Sequence, residues 1–369
     1  MLAESHPLIR RILRFLMLPY CFLYLIKWEE CTKSRFAVIC DLFDLFFRHK
    51  TFPDHYGPCR LWEIDKRKWP LYYGSSYHPY QRARLRKKVQ RYEYQLLFND
   101  KFVCELLCKG LGVNNPQTLC VLEKEGGYRI KIEDCFKKDA DEVLIIKPIQ
   151  GHAGLGIVLA MNSNLGIQIK ARSKMIPLAE FILPEDAIVQ KIVKQDERIA
   201  LISKHSINTI RVVTLYTRDE KVLIVSATMR FGVGDAFVDN WSAGGVAAGV
   251  DLTTGKLKRF AFDKRGTRYL NHPLSNVRFE NFQVPEWEKI LYLATLVQKE
   301  FSFYRLLGMD IAVNDNSEPI LIEVNANPDI IFQEQTSGPL LENPQVLNAF
   351  AEYELLVNKH QKKLLGIMG

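Results

Sequence analysis

Apolar and polar positions change rhythm near residue 99. Up to about residue 98 the apolar positions recur at helical spacing, broken by Pro53, Pro58, Pro70 and Pro79, and no run alternates with the period of two that marks a half-buried strand. Asp100-Lys-Phe-Val-Cys-Glu-Leu-Leu-Cys-Lys-Gly then reads as an amphipathic helix stopped by glycine. Beyond it, short apolar runs recur near 118–122, 143–147, 157–160, 187–193, 210–216, 222–228, 246–250, 310–313 and 320–324. The spacing predicts one helix at about 285–307 and a closing helix at about 344–365. The fold class expected is α+β with largely antiparallel sheets, preceded by a mostly helical accessory region.

The last two runs carry the sharpest chemistry. Asp310-Ile-Ala-Val313 and Ile320-Leu-Ile-Glu-Val324 are joined by Asn-Asp-Asn-Ser-Glu-Pro, turn formers between strand formers, which is a hairpin signal. A turn centred between Asn316 and Ser317 sets Asp310 opposite Glu323, and the pleat places Asn325 on the same face. Two like charges facing each other across a ladder call for a cation, and hard oxygen ligands suit magnesium. The plainer reading is an exposed hairpin whose acids are solvated.

Other segments add weaker signals. Glu142-Val-Leu-Ile-Ile-Lys147-Pro-Ile-Gln-Gly-His-Ala-Gly-Leu-Gly-Ile157 is a buried strand, a loop holding Gly151, Gly154 and Gly156, and a second strand. Glycines let backbone amides approach anionic oxygens while Lys147 supplies a point charge, so the loop suits phosphates. The order strand, loop, strand excludes both a Walker loop and a dinucleotide fingerprint, which open helices. In Ala187-Ile-Val-Gln-Lys-Ile-Val193, Gln190 with the backbone of Lys191 and Ile192 offers an edge to a purine. Asn208 and Arg211 stand at the mouth of another buried strand, and Arg230 follows. Each arginine suits a transferring phosphoryl group or a carboxylate, and each equally suits a structural ion pair. Asn240-Trp-Ser242-Ala-Gly244-Gly245 combines an amide, a hydroxyl and paired glycines, an anion-binding turn or a plain one.

Composition narrows the partners. The chain has 369 residues, 47% hydrophobic and 25% charged, enough for two or three globular domains, and a formal net charge of +8 that favours anionic partners in general. Part of the excess sits in Gln81-Arg-Ala-Arg-Leu-Arg-Lys-Lys-Val-Gln-Arg91, either a solvated helix face or a surface for phosphates and acidic lipids. No nucleic-acid-reading module accompanies it, so nucleic acid is not an expected partner. All eight cysteines precede residue 136 without a Cys-x-x-Cys pair, which points to reduced, packed thiols rather than zinc. The apolar run Phe15 to Ile26 is 12 residues, too short for a bilayer span of about 20. It reads as a packed helical hairpin or as an interfacial membrane helix edged by Arg10, Arg11, Arg14 and Lys27. Either way a cytoplasmic enzyme body is expected, with peripheral membrane contact through residues 10–27 as the second reading.

The order of these motifs resembles the ATP-grasp superfamily. Ser206-Ile-Asn-Thr-Ile-Arg-Val-Val-Thr, Asn240-Trp-Ser-Ala-Gly-Gly and Glu323-Val-Asn-Ala-Asn-Pro look like its sugar-transfer-associated branch, similar to alpha-L-glutamate ligase-related proteins. The resemblance covers about residues 70–345. It implies ATP held between two α+β subdomains, with Lys101 and Lys147 on the phosphates, the 151–156 loop closing over them, and Gln190 to Ile192 at the adenine. Asp310, Glu323 and Asn325 would hold one or two magnesium ions, with manganese as a substitute. Where D-alanine:D-alanine ligases carry a nearby arginine, Gly308 and Met309 precede the aspartate here, and Arg211 is the expected replacement. The corresponding division is a helical region over 1–98, a lid subdomain over 99–192, a metal-bearing subdomain over 193–345 and a C-terminal helix over 346–369.

The activity so implied is ATP-dependent ligation of a carboxylate to an amine through an acyl phosphate, on small-molecule, sugar-linked substrates. Arg211, Asn208 and Arg230 would serve the reaction, and Asn240, Ser242, Gly244 and Gly245 the substrate. The rival readings are an ATP-grasp kinase acting on a hydroxyl, and a noncatalytic nucleotide-binding adaptor at a membrane.

Overall fold

The computed structural model describes residues 7–75, 85, 87–138, 143–151, 154–171, 174–234, 244–356 and 358–368. Asn240, Ser242 and much of the basic stretch at 81–91 therefore lie outside the described residues.

The N-terminal region is helical, and no strand occurs among its described residues. Helices α1 (Pro7–Leu16) and α2 (Leu18–Tyr24) are separated at Met17, so the apolar run from Phe15 is not one element. Pro19 explains the restart, because a residue without an N–H is tolerated only in a helix's first turn. Helix α3 (Arg35–Phe43) is capped by Ser34, whose Oγ accepts from the Ala37 N–H, and runs into a π-helical turn at Asp44–Arg48. Val38, Leu42 and Leu45 pack inward with Tyr56, Trp62 and Trp69.

Two antiparallel sheets follow. Helix α4 (Lys101–Gly110), capped by Asp100, leads into β1 (Thr118–Leu122), α5 (Tyr128–Lys138), β2 (Val143–Pro148), β3 (Val158–Ser163), β4 (Gly166–Ala171), β5 (Lys174–Pro177) and β6 (Ala187–Lys191). These strands form a six-stranded sheet ordered β1-β6-β2-β3-β4-β5. The second sheet has seven strands. It is built from β7 (Ile210–Tyr216), β8 (Val222–Phe231), β9 (Val246–Val250), β10 (Leu257–Phe262), β11 (Arg268–Tyr269), β12 (Leu306–Val313) and β13 (Pro319–Asn325), in the order β11-β10-β9-β8-β7-β12-β13. Helix α6 (Trp287–Glu300) covers one face, and α7 (Ile330–Ser337), α8 (Pro344–Glu352) and α9 (Lys359–Met368) lie on the other side.

The period of two sorts this second sheet. Met309 and Ile311 join the core under α6, so Asp310 between them faces the opposite side. Ser226 and Thr228 also face that way and hydrogen-bond Gln333 of α7, at 2.8 and 3.1 Å. One face is therefore hydrocarbon core throughout, and the other combines a second apolar cluster, Val213, Leu215 and Leu306 under α8, with polar chemistry around Asp310. Each fully buried Ile or Val of the apolar face contributes roughly 1.5–3 kcal/mol.

Several expectations need correction. The helix near 285–307 ends at Glu300: Phe301 and Tyr304 turn inward, and Leu306 already starts β12. The C-terminal helix is two helices, because Glu354 takes a left-handed φ of 55° and Asn358 caps the next one through the N–H groups of His360 and Gln361. Strand β6 stops at Lys191, two residues early. Strands β4, β5 and β10 and helix α5 left little pattern, since β4 buries only Ile169 and β5 buries none of its positions.

Helix α7 also fastens the N-terminal region. Glu334 is buried and accepts from the N–H groups of Tyr73 (2.5 Å), Gly74 (3.0 Å) and Leu340 (3.2 Å). Burial pushes its pKa up to about 7 despite those donors. The native state then holds a proton that the unfolded chain has lost above pH 4.5, so this contribution to stability falls as pH rises from 4.5 to 7. His49, pushed down to about 4 by burial and by the charge of the neighbouring His360 ring, acts in the opposite sense, favouring the native state as pH rises. Comparison with Glu334→Gln isolates the carboxyl. The melting temperature of the wild type relative to that variant should decline steadily across pH 4.5–7, measured by thermal unfolding in matched buffers; a flat difference would contradict the assignment.

Candidate active site

Asp310 stands at the centre of the polar face, 2% exposed, with Arg211 directly across the ladder on β7 and Glu323 across it on β13. Arg211 donates through Nε and Nη2 to the two carboxylate oxygens, both at 2.7 Å. Arg230 on β8 adds a bond from Nη2 at 2.8 Å and donates through Nε to Thr209 Oγ1 at 3.0 Å. Burial raises the pKa of Asp310, but the two guanidiniums outweigh it and hold the carboxyl below its usual range. The like-charge conflict expected between Asp310 and Glu323 is thus met for Asp310 by the chain's own arginines.

The pairing of Asp310 with Glu323 is as expected, but its cause differs. Near the tip Ala312 pairs with Ile320 and Val313 with Pro319, a register centred on Asn316 that would bring Ile322 opposite Asp310. A bulge between Leu321 and Glu323 absorbs Ile322 and restores the acid to its place. Asn325 faces Gly308, where a Cβ would come within 2.8 Å of Pro328, so the Asn-Pro turn after β13 packs against bare backbone. Asn325 contributes favourably to the Asp310 carboxylate, yet its buried Nδ2 makes no hydrogen bond of good geometry. Glu323 is half-buried and is hydrogen-bonded by no described residue.

The first sheet meets this cluster through α4. Asn114 O accepts from the Leu321 N–H and Asn115 Nδ2 donates to Leu321 O, both at 2.9 Å, which ties the α4–β1 connection to β13. Lys101, the first residue of α4, donates its backbone N–H to Ile149 O (3.1 Å) and its ammonium to Gly151 O (2.7 Å). Burial lowers its pKa, while the fields of Glu323 and Glu185 oppose the shift. Lys101, the glycine loop and Glu323 therefore share one neighbourhood. Lys147 pairs with Ile188 at the strand end just before the loop. Gly154 and Gly156 have φ of 67° and 76°, and a Cβ at Gly156 would fall 2.7 Å from Pro148, so the loop folds back tightly on the end of β2.

Two expected contact residues turn inward. The Gln190 amide donates to Glu105 Oε2 (2.9 Å) and Thr118 Oγ1 (3.1 Å), and the Lys191 N–H donates to Gln117 O (3.0 Å). The Gln190 amide and the Lys191 N–H are thus taken, and Ile192, just past the strand, is 42% exposed. Asn208 is fully buried: its Nδ2 donates to Gln195 Oε1 (2.9 Å) and Ser203 O (2.6 Å), and its Oδ1 accepts from Ser206 Oγ (3.0 Å). It braces the entry to β7 and has no atom left for a substrate. Gly244, with φ of 98°, and Gly245 precede β9 beside Arg230, whose partner on β9 is Ala247. Glu105, Thr118 and Thr209 were missed in the sequence. Glu105 lies four residues after Lys101 on one helical face, and that spacing was the available signal.

Comparison with known families decides the relationship. A profile of the sugar-transfer associated ATP-grasp family matches residues 80–347. The chain belongs to this family. Comparison with curated proteins gives no match. Solved structures similar to this ATP-grasp chain include an ADP complex of N5-carboxyaminoimidazole ribonucleotide synthetase, at 10% identity over 67% of this chain and 47% of that one, with a TM-score of 0.38. D-alanyl-alanine synthetase A from Vibrio cholerae matches at 14% identity over 70% and 64%, with a TM-score of 0.39. The L-amino acid ligase from Bacillus licheniformis matches at 13% over 63% and 42%, with 0.36. The chain thus spans between 42% and 64% of the length of these structures.

The cofactors of the ATP-grasp family are ATP and magnesium or manganese. The residues present fit them in a particular way. Among the described residues no group of three His, Cys, Asp or Glu could hold a metal by itself. No described residue bonds the Glu323 carboxylate and Asn325 brings an amide oxygen, while Asp310 is already engaged by two arginines. That donor set suits an ion shared with phosphate oxygens, the usual situation for magnesium, rather than a protein cage. Replacing Asp310 with Asn leaves two buried guanidiniums under-compensated. Asp310→Asn should lower the unfolding free energy by about 3–5 kcal/mol in urea titrations, and a loss under about 1 kcal/mol would show that the cluster is not structural.

Proposed function

We propose that this chain is an ATP-dependent ligase that joins a carboxylate to an amine. The observation that carries the proposal is the convergence of Lys101, its bound glycine loop and Glu323 beside the Asp310–Arg211–Arg230 cluster. In this reading Lys101, Lys147 and the amides around Gly151, Gly154 and Gly156 hold the phosphates. Ile192 and the backbone after β6 face the adenine, with Gln190 and Lys191 shaping the slot. Glu323 and Asn325, with Asp310 behind them, hold the magnesium, which when bound neutralises charge between the phosphates.

A substrate carboxylate oxygen bonds to the γ-phosphorus and ADP leaves. The amine nitrogen then bonds to the acyl carbon, phosphate departs and the amine releases a proton. Arg211 and Arg230 carry fixed positive charge toward the acyl phosphate, oriented by Asp310, so little reorganisation is needed when charge develops. Asn208 acts as a positioning residue. Gly244 and Gly245, with Asn240 and Ser242 in the same segment, fit the substrate's anionic end. The family's description supports a sugar-linked substrate, within surface polysaccharide or sugar-conjugate biosynthesis.

Product analysis tests the reading. ADP and free phosphate should appear only when carboxylate and amine are both supplied, and hydroxylamine should trap a hydroxamate in place of the amine. ADP release with a hydroxyl substrate and no free phosphate would instead establish a kinase. Glu323→Gln should cut ADP release on the order of 100-fold with an unchanged melting temperature, because no described partner depends on that carboxylate. Full activity in that variant would remove Glu323 from the metal site.

A further inference from the structure

Helix α1 is mounted backwards for a soluble protein. Arg14 is 7% exposed, with its guanidinium over the Phe52 ring at 5.5 Å and its Nη1 at 3.1 Å from Met17 Sδ, and Arg11 lies over Phe46 at 5.9 Å. Arg14 thus packs into the body, while Arg11 stays exposed at the edge of the helix. Leu8, Ile9, Ile12, Leu13, Phe15 and Leu16 are between 39% and 65% exposed. At 100° per residue they fill an arc of about 160° that faces solvent, whereas a helix packed on a globular core turns such an arc inward.

A second stripe adjoins it. Phe36, Ile39, Phe43 and Phe47 recur at three- and four-residue steps along α3 and its π-helical turn, and all are exposed. The Phe15 ring lies 6.1 Å from Phe43 and 5.8 Å from Phe47, which stack on each other at 5.8 Å, so the stripes form one surface. On α2, Tyr20, Leu23 and Tyr24 are exposed as well, the two tyrosine rings 5.5 Å apart. A continuous apolar area of this kind marks an interaction surface.

Charge selects the occupant. Helices α1 and α2 contain no acid; Asp41 of α3 is buried against Lys33 (2.6 Å), Lys66 (2.7 Å) and Tyr56 (2.8 Å), and Asp44 of the π-helical turn pairs with Lys66 (3.2 Å). Arg11, Arg35 and Lys50 are exposed on the same elements and their flank. Aromatic and aliphatic side chains with tyrosines and uncompensated basic groups beside them match the boundary between headgroups and acyl chains of an anionic bilayer. Among the described residues no helix is long and apolar enough to cross a membrane, and α1 reaches only about 15 Å. We infer that α1, α2 and the outer stripe of α3 form a peripheral docking surface for a bilayer containing anionic lipids. The inference does not rest on the ligase reading.

Flotation of the full chain with vesicles tests it, with no nucleotide present. Binding is expected to phosphatidylcholine vesicles containing phosphatidylglycerol, to be weaker on phosphatidylcholine alone, and to decrease with salt. The paired exposed substitutions Leu8→Ser with Ile12→Ser, and Phe36→Ser with Phe47→Ser, should each weaken binding at least about tenfold while leaving the melting temperature and ADP release unchanged. Failure of the wild type to float with anionic vesicles would overturn the proposal, as would binding unaffected by both pairs. A dimer in vesicle-free solution that the same substitutions dissociate would overturn it in favour of an interface between two copies.

Discussion

A buried carboxylate shared by two arginines organises the catalytic half of this protein. Asp310 sits where β7, β8 and β12 run side by side, and each arginine comes from a different strand. Removing three charges from water is costly, and only near-ideal geometry offsets it. The fork of Arg211 and the further bond from Arg230 supply that geometry, and they hold the three strands to a register in which Glu323 emerges beside the cluster. The ion cluster therefore has a positional consequence: it fixes where Glu323 stands relative to Lys101.

The two sheets are joined through helix α4 and its flanking loops, with Cys104, Cys108 and Val113 buried in the core of the second sheet. Helix α4 carries Lys101 to the glycine loop, while Asn114 and Asn115 bond to a single residue of β13, Leu321. Glu105 on the same helix reaches Thr118 and Gln190 of the first sheet, while Cys104 and Cys108 are buried in the apolar core of the second. Such an arrangement keeps Lys101 and the glycine loop aligned with the hairpin. The N-terminal region is held differently. Its strongest polar attachment is Glu334, whose carboxyl gathers backbone N–H groups from two distant stretches. This leaves the outer faces of α1 and α3 bare.

How far the sequence could be read depends on the range of the interaction that decided each point. The hairpin, its acids, the glycine loop and the amphipathic helix from Lys101 were legible because period, turn residues and caps act over a few neighbours. The bulge at Ile322 was not, since either register satisfies the local pattern and only the neighbouring strand β7, with Arg211, selects one. Gln190 and Asn208 show the same limit. Each reads as an open polar group at a strand end, and each is consumed by partners: Glu105, 85 residues away, and the Ser203–Gln195 loop.

The sequence by itself determined the family, the α+β class, and the residues that meet around the hairpin, because order and spacing of motifs survive in one dimension. Only the tertiary structure decided the outcome for charge and exposure. Whether Asp310 is compensated by metal or by arginine, and whether the apolar arc of α1 faces a core or solvent, depends on what another segment places beside it. Amphipathicity states that a helix has two faces, and packing alone chooses which one is covered.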